Sequence, residues 1–591
     1  MKIIIYFTLL FSAVLFELAG EVSYQVVFDL THHHEKDKEL METLKSSSQM
    51  VVLKENPPAT TTALTRRAEA DRENLALALQ SLGFYEPDIQ VSIDTECSPF
   101  LVKFTIDPGP IYLLSHFEII PENFDCFPYA SITLSSIGIR IGHPVRPSSI
   151  VTAESLLIGR MALCGYPLAI ITNRKVIADM DQKTISVYLH VDSGPPAYFG
   201  ATQIVGTEKV RDLVILRKIH WLYGEHYNPL AVDRTQEAIE ASGLFCSVVV
   251  TPAEKVDERG YLPMLIEVTE SKHRTVGAGI SYNTQLGGGI TASWEHRNVR
   301  NLGEKMSLKT DLWMIRQRGE LLYSQPDFIC PGQDLLWIAE AERERTKGFT
   351  ENFLSFSMLI DRRLNEWTKY SYGITFKELE SEDTENSNGT FSLLKVPFHW
   401  RWSNADDLLN PTKGAILNYR ATPTLEVTQQ NFYLIQTLAY STYYSLIRDG
   451  SIVLAAKISL GSISCKPNQT IPAPERFYAG SENTIRGYKY LTVSPLNAKD
   501  DPVGGRSLMF YSLEIRTRLT EKFGWVFFYD MGNVYNQVWP GFDRKQLQSG
   551  GLGIRYHTPV GPLRLDIAFP FNRRKGIDNR WEFYLSMGQS F

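Results

Sequence analysis

The chain has 591 residues, more than one hydrophobic core usually serves, so several domains are expected. Apolar residues at 43% and charged residues at 21% exclude a disordered chain, and 60 basic against 66 acidic residues leave no electrostatic footprint for nucleic acid. Mean hydropathy is −0.16, and past the N-terminus no apolar run reaches the roughly 18 residues of a spanning helix, which excludes a helical membrane protein but not a β-barrel, whose strands alternate.

Residues 1–20 read as an export signal: Lys2, an apolar stretch from Ile3 to Phe16, then small residues with a cut after Ala19 or Gly20. The triple His32, His33, His34 reads as a solvated turn, since consecutive histidines cannot easily converge on one ion. Six scattered cysteines without a C-x-x-C pair are too few for a disulfide scaffold.

Before residue 275 one pattern recurs. A helix-like stretch ends in glycine and an aromatic or apolar residue, then a strand follows: at Gly83-Phe84-Tyr85, at Gly165-Tyr166 and at Gly243-Leu244-Phe245. These glycines lie about 80 residues apart, the size of a small module. A second marker, Asp107-Pro-Gly-Pro and Asp192-Ser-Gly-Pro, punctuates the joints between strands. Three α+β modules are therefore expected, each strand-helix-helix-strand-strand, over 21–109, 110–194 and 195–273. Their sheet edges are free to accept an extended segment.

From 274 to 591 period-2 alternation takes over. Leu563, Leu565, Ile567 and Phe569 interleave with Arg564, Asp566 and Ala568, and Trp525, Phe527, Tyr529 and Met531 with Val526, Phe528 and Asp530. Trp581, Phe583, Leu585, Met587 and Phe591 share one phase at the end of the sequence, as a closing strand in lipid would require. Strand-like segments between turn signals number about sixteen, so a 16-stranded antiparallel transmembrane barrel is expected, of the bacterial outer-membrane kind. The longest connection, from about Ser464 to Arg506, falls on the outer side.

That connection carries Arg476-Phe-Tyr-Ala-Gly-Ser-Glu-Asn-Thr-Ile485-Arg486-Gly487-Tyr488, which resembles the hallmark loop of the BamA/TamA superfamily. Phe528-Tyr-Asp530-Met-Gly532, Ser512-Leu-Glu514 and Gly561-Pro-Leu-Arg564-Leu-Asp566 are similar to further strands of that family, and the modules resemble its POTRA domains. The resemblance implies that the loop folds back into the lumen as a plug and that Arg486 reaches Glu514 and Asp530. A lumen carboxylate favours such a bidentate guanidinium. Three modules resemble TamA more than the five usual in BamA.

The resemblance also implies a function: an assembly factor that helps insert or secrete outer-membrane β-proteins such as autotransporters. Its partners would be unfolded outer-membrane clients, a TamB-like periplasm-spanning protein and the outer-membrane lipid, with no nucleic acid. The first barrel strand contains Gly277 and Gly279, which weaken it. It would meet the last strand, Arg580 to Phe591, at a lateral seam able to open. A general BamA-like assembly factor, a two-partner-type secretion pore and a passive channel are the alternatives. No G-x-S-x-G elbow, Walker loop or zinc-ligand spacing is present, so no catalytic residue, metal or cofactor is expected.

Overall fold

The computed structural model describes residues 22–31, 38–122, 132–383, 389–447, 449–466, 469–541, 544–558, 561–587 and 589–591. The expected export signal and the His32–His34 run lie outside them. The chain forms two compact units, one with the first two modules and part of the third, the other with the barrel and the remaining segments of the third.

In the first module the strand Tyr24–Leu30 is followed by helices Lys38–Ser47, Gln49–Val52 and Thr61–Ser81, then by strands Asp88–Asp94 and Phe100–Asp107. The last strand is central, parallel to the first and antiparallel to the second. The second module repeats this order with Leu113–Pro121, the turn Leu134–Ile137, helix Pro147–Leu163 and strands Ile170–Asp179 and Thr184–Asp192. In its central strand Ile185, Val187, Leu189 and Val191 pack on Leu157 and Met161 of the helix, which is why alternation and helical periodicity coexist in one module. The third comprises Tyr198–Val205, Asp212–Leu216, Pro229–Glu240, Phe245–Pro252 and Tyr261–Glu270.

The recurring glycines have one cause. Gly83, Gly165 and Gly243 take φ of +100°, +91° and +66°, the left-handed cap that ends a helix. At the joints Asp107 Oδ1 accepts from Gly109 N at 3.1 Å, and Asp192 Oδ1 from Gly194 N at 3.0 Å, so both markers are the same turn.

The barrel sheet runs in chain order from Arg274–Asn283 to Glu582–Met587, each neighbour antiparallel. Its segments Gly389–Lys395 and Phe398–Ser403 pair with the same neighbours, Thr368–Asp383 and Gly414–Glu426. They are one strand interrupted at Val396-Pro397, because proline offers no N–H to the ladder. The seventeen segments thus fill sixteen strand positions. In Leu563–Pro570 the apolar Leu563, Ile567 and Phe569 are exposed, whereas Arg564 and Asp566 are 2% and 0% exposed. Charge inside and apolar bulk outside is the reverse of a soluble protein, and makes lipid the solvent of the outer face. No described helix is long and apolar enough to cross a membrane; the strands do so.

The end of the chain departs from the sequence expectation. The last strand spans only Glu582–Met587, and Phe591 faces the lumen, not the outer surface. Its ring lies 6.4 Å from that of Tyr443 and its carbonyl accepts Arg516 Nη2 at 2.8 Å. Arg516 and Lys457 stand 5.1 and 5.7 Å from the ring, a cation–π attraction that lipid cannot offer. The five described cysteines are free.

The first two modules are joined by ion pairs. Arg146 forks onto Glu39 at 2.6 and 3.1 Å, and Lys183 reaches Glu86 at 2.8 Å beside the Tyr112 hydroxyl. These hydrogen bonds hold both glutamates below the usual carboxylate range. A depressed carboxyl stabilises above its unfolded pKa, and that contribution is lost as pH falls through the folded value. The joint should therefore hold at neutral pH and loosen below about pH 4. Distances between spin labels on the two modules should broaden there, and Glu86→Gln should broaden them at pH 7.

Candidate functional site: a buried arginine in the barrel lumen

Between strands Ile452–Cys465 and Ser507–Arg518 the chain leaves the wall and enters the lumen. Apolar packing holds it there first. Ile485, Tyr488 and Val493, each 0–1% exposed, pack with Leu508, Phe510 and Val534 of the wall. The loop is also fastened on two sides. Glu475, in the short turn Ala473–Glu475, takes Lys395 Nζ at 2.7 Å on both oxygens and Lys377 Nζ at 3.3 Å.

On the other side stands Arg486, 1% exposed. Its Nε and Nη2 donate to the two oxygens of Asp530 at 2.7 and 2.9 Å, the bidentate fork, and its backbone N donates to Asp530 Oδ2 at 3.1 Å. Nη1 lies 2.8 Å from Glu514 Oε1 and donates to Asp566 Oδ2 at 3.1 Å. Ser512, directly opposite Asp530 in the ladder, donates to Asp530 Oδ1 at 2.6 Å. The guanidinium lies over the Phe528 ring, 3.5 Å from its centroid. Gly487 has φ +88°, and a Cβ there would press on Ser549, Pro570 and Ala568. Its N–H donates to the Tyr584 hydroxyl at 2.8 Å, while the Tyr488 hydroxyl donates to Gln548 O at 2.7 Å.

The structure brings Ile485, Arg486, Gly487, Tyr488, Glu514, Phe528 and Asp530 together. Gly532 stands across from Phe510, where a side chain would overlap that residue. Asp566 joins as a third carboxylate partner that sequence reasoning did not pair with Arg486. It reaches across the intervening strand Leu547–Tyr556 because Gly553 opposes it; a Cβ on Gly553 would collide with Asp566 Oδ1 and Arg555 Nη1. The run Gly550-Gly551-Leu552-Gly553 was the available signal. A second layer completes the charge balance. Arg516 donates to Glu514 Oε2 at 2.9 Å, Arg555 pairs with Asp566, and Arg564 meets Glu482 at 3.2 Å. Four guanidiniums thus face Glu482, Glu514, Asp530 and Asp566.

Gly277 and Gly279 lie in the first barrel strand, across from Ser293 and Thr291. That strand pairs along its length with Gly287–His296. Among the described residues it forms no ladder with Glu582–Met587, although the two approach each other. Val276 and Ile280 on it are 77% and 90% exposed.

Removing one partner from a buried ion pair costs about 3–5 kcal/mol, because the other charges stay buried. Arg486→Ala should therefore free the loop, seen as new protease cutting between 476 and 500 in the folded protein. Arg486→Lys should free it nearly as much, since one ammonium cannot fork onto Asp530 and still reach Glu514 and Asp566.

An Omp85 superfamily domain matches residues 298–591. Over 551 residues, 88% of this chain and 68% of the relative, the sequence is 23% identical to the outer membrane protein assembly factor BamA of Nitratidesulfovibrio vulgaris. It is 20% identical to BamA of Neisseria meningitidis serogroup B, covering 73% of this chain and 61% of that protein. The crystal structure of BamA from Haemophilus ducreyi lacking POTRA domains 1–3 superposes with a TM-score of 0.70 at 17% identity, covering 81% of this chain and all of the other, so the fold is shared. Residues 298–591 form an Omp85 superfamily domain, and the protein is an outer-membrane β-barrel with POTRA modules in the periplasm.

Proposed function

We propose that the protein assembles β-barrel proteins in the outer membrane, its modules receiving unfolded clients and its lateral seam templating their strands. The observation that carries this reading is the free edge of Arg274–Asn283, a strand paired on one side and exposed on both faces. Such an edge accepts an incoming strand by backbone hydrogen bonding. Gly277 and Gly279 add no packing that would hold the seam shut.

The two sides of the seam are unequally held. The loop grips the last strand and the residues after it through Gly487 to Tyr584, and through Ser590 to Glu482 O. On the first strand its hold is Asn283 Nδ2 to Glu482 Oε1, at 3.3 Å. Freedom to open therefore belongs to the first strand. The relatives named as assembly factors support the same reading. Autotransporter-type clients and a TamB-like partner are the finer form of the proposal, and rest on the resemblance to TamA.

Two measurements test it. A disulfide between Gly279→Cys and a cysteine at Phe583 or Leu585 should abolish client insertion and restore it on reduction; unchanged activity would remove the seam. Outer-membrane proteomics after depletion should show loss of a narrow set of autotransporter-like barrels. Loss of every barrel would make the protein a general assembly factor, and loss of one secreted protein alone would make it a dedicated export pore.

A further inference from the structure

We propose that Glu342, Glu344 and Glu351 form a site for a hard divalent cation, calcium in the first place, which clamps the lumen loop to the barrel wall. They sit near the connection between strands Gln333–Arg345 and Phe349–Arg363, on the rim that carries the long loop. Each offers a carboxylate oxygen, and these oxygens lie within 4.8 Å of one another. That is the spread of ligands around one ion with oxygen bonds of about 2.3–2.6 Å.

The protein meets this charge only in part, through long ion pairs to Glu351 and Glu342 and one hydroxyl on Glu344. Glu344 and Glu351 are 8% and 7% exposed and stand directly opposite each other in the ladder, a like-charge pairing that destabilises a sheet. Glu351 Oε2 is buried and accepts no hydrogen bond. Its nearest cation, Lys377 Nζ, is 3.7 Å away and donates instead to Glu475. Arg318 is 3.9 Å from Glu342, but its closer partners are Glu320 at 2.8 Å and Glu340 at 2.7 Å. Arg316 faces Glu344 in the ladder, yet no ion pair within 4.0 Å joins them, and its Nε has no partner. A buried carboxylate oxygen without a donor is costly, and a cation at the shared point would supply what is missing.

The loop meets this wall at the same place. The Tyr490 hydroxyl donates to Glu344 Oε1 at 3.2 Å, and Gly348 packs so closely under Pro502 that a Cβ would strike its carbonyl. An ion among the three carboxylates would therefore stiffen the contact of residues 490–502 with the wall. The site depends on the barrel alone, whatever the client.

The test uses the full chain folded in detergent and stripped with chelator. Calcium titration by calorimetry, and terbium luminescence sensitised by nearby aromatics with calcium as competitor, should show one saturable site with half-saturation between about 0.01 and 1 mM. Glu351→Gln and Glu344→Gln should each weaken binding at least about tenfold and remove the calcium-dependent rise in Tm. In chelator, Glu351→Gln should be more stable than the parent, because repulsion is relieved; a merely structural glutamate would give the opposite sign. Tyr490→Phe should keep the affinity while losing calcium-dependent protection of residues 484–502 from hydrogen exchange. If Glu351→Gln fails to fold, the half-buried Glu342→Gln serves as the second variant. Absence of saturable calcium, magnesium or terbium binding by the parent overturns the proposal, as does unchanged affinity in the glutamine variants.

Discussion

The lumen loop is organised around one charged group that water does not reach. A guanidinium at Arg486 brings a full positive charge and five N–H donors into a place where each must be matched. Its match comes from three strands, through Glu514, Asp530 and Asp566. Those carboxylates would repel one another without the arginine, and the arginine could not be buried without them. The site is therefore all-or-none. A wall slipped by one residue would turn Asp530 to the lipid and Tyr529 to the lumen, so the loop also reads the register of the strands it rests on.

The ionic centre does not by itself hold the loop in. Desolvating two ions roughly cancels their attraction, so a buried pair is weak evidence for stability. The gain comes from Ile485, Tyr488 and Val493 against Leu508, Phe510 and Val534, at about 1.5–3 kcal/mol for each large side chain fully buried. Apolar packing supplies attraction without direction. The charges supply direction, because a fork onto Asp530 with a third nitrogen shared by Glu514 and Asp566 admits one orientation. The Glu475 cluster with Lys377 and Lys395 fixes the other flank, on strands remote in sequence from those of Arg486. A segment tied to both walls behaves as a crosspiece of the barrel, not as a surface loop.

How much of this could be read from the sequence follows from what alternation encodes. Period two assigns each residue to a face, so the lumen phase of Ser512, Glu514, Phe528 and Asp530 was legible strand by strand. Alternation says nothing about which residues of different strands lie level, and that depends on register. Asp566 was visible as a lumen residue but not as a partner of Arg486, and the opening at Gly553 has meaning only once Asp566 is known to oppose it. Glu342, Glu344 and Glu351 were hidden for the same reason, since they converge only when the two strands are paired. Phe591 was misplaced because phase was carried past Met587, where the ladder stops and interior cations attract the ring. In the modules, by contrast, Gly83, Gly165 and Gly243 were informative because a left-handed cap is a local requirement that one residue type meets.

The same contrast bears on why the first and last described strands of the sheet form no ladder with each other. Closing a sheet removes its edges only if the two terminal strands match in length and register. Here one spans Arg274–Asn283 and the other Glu582–Met587, so much of the longer strand has no counterpart to bond. The residues that could have extended the last strand, Gln589–Phe591, are bound inside instead: Gln589 to Arg555 and Asn410, Ser590 to Glu482 O, and Phe591 to Arg516. These contacts are to the second layer around Arg486 or to Asn410, in the connection between Phe398–Ser403 and Gly414–Glu426. The contacts that order the lumen loop thus also hold residues 589–591 inside, and among the described residues the first strand keeps one side of its backbone unpaired.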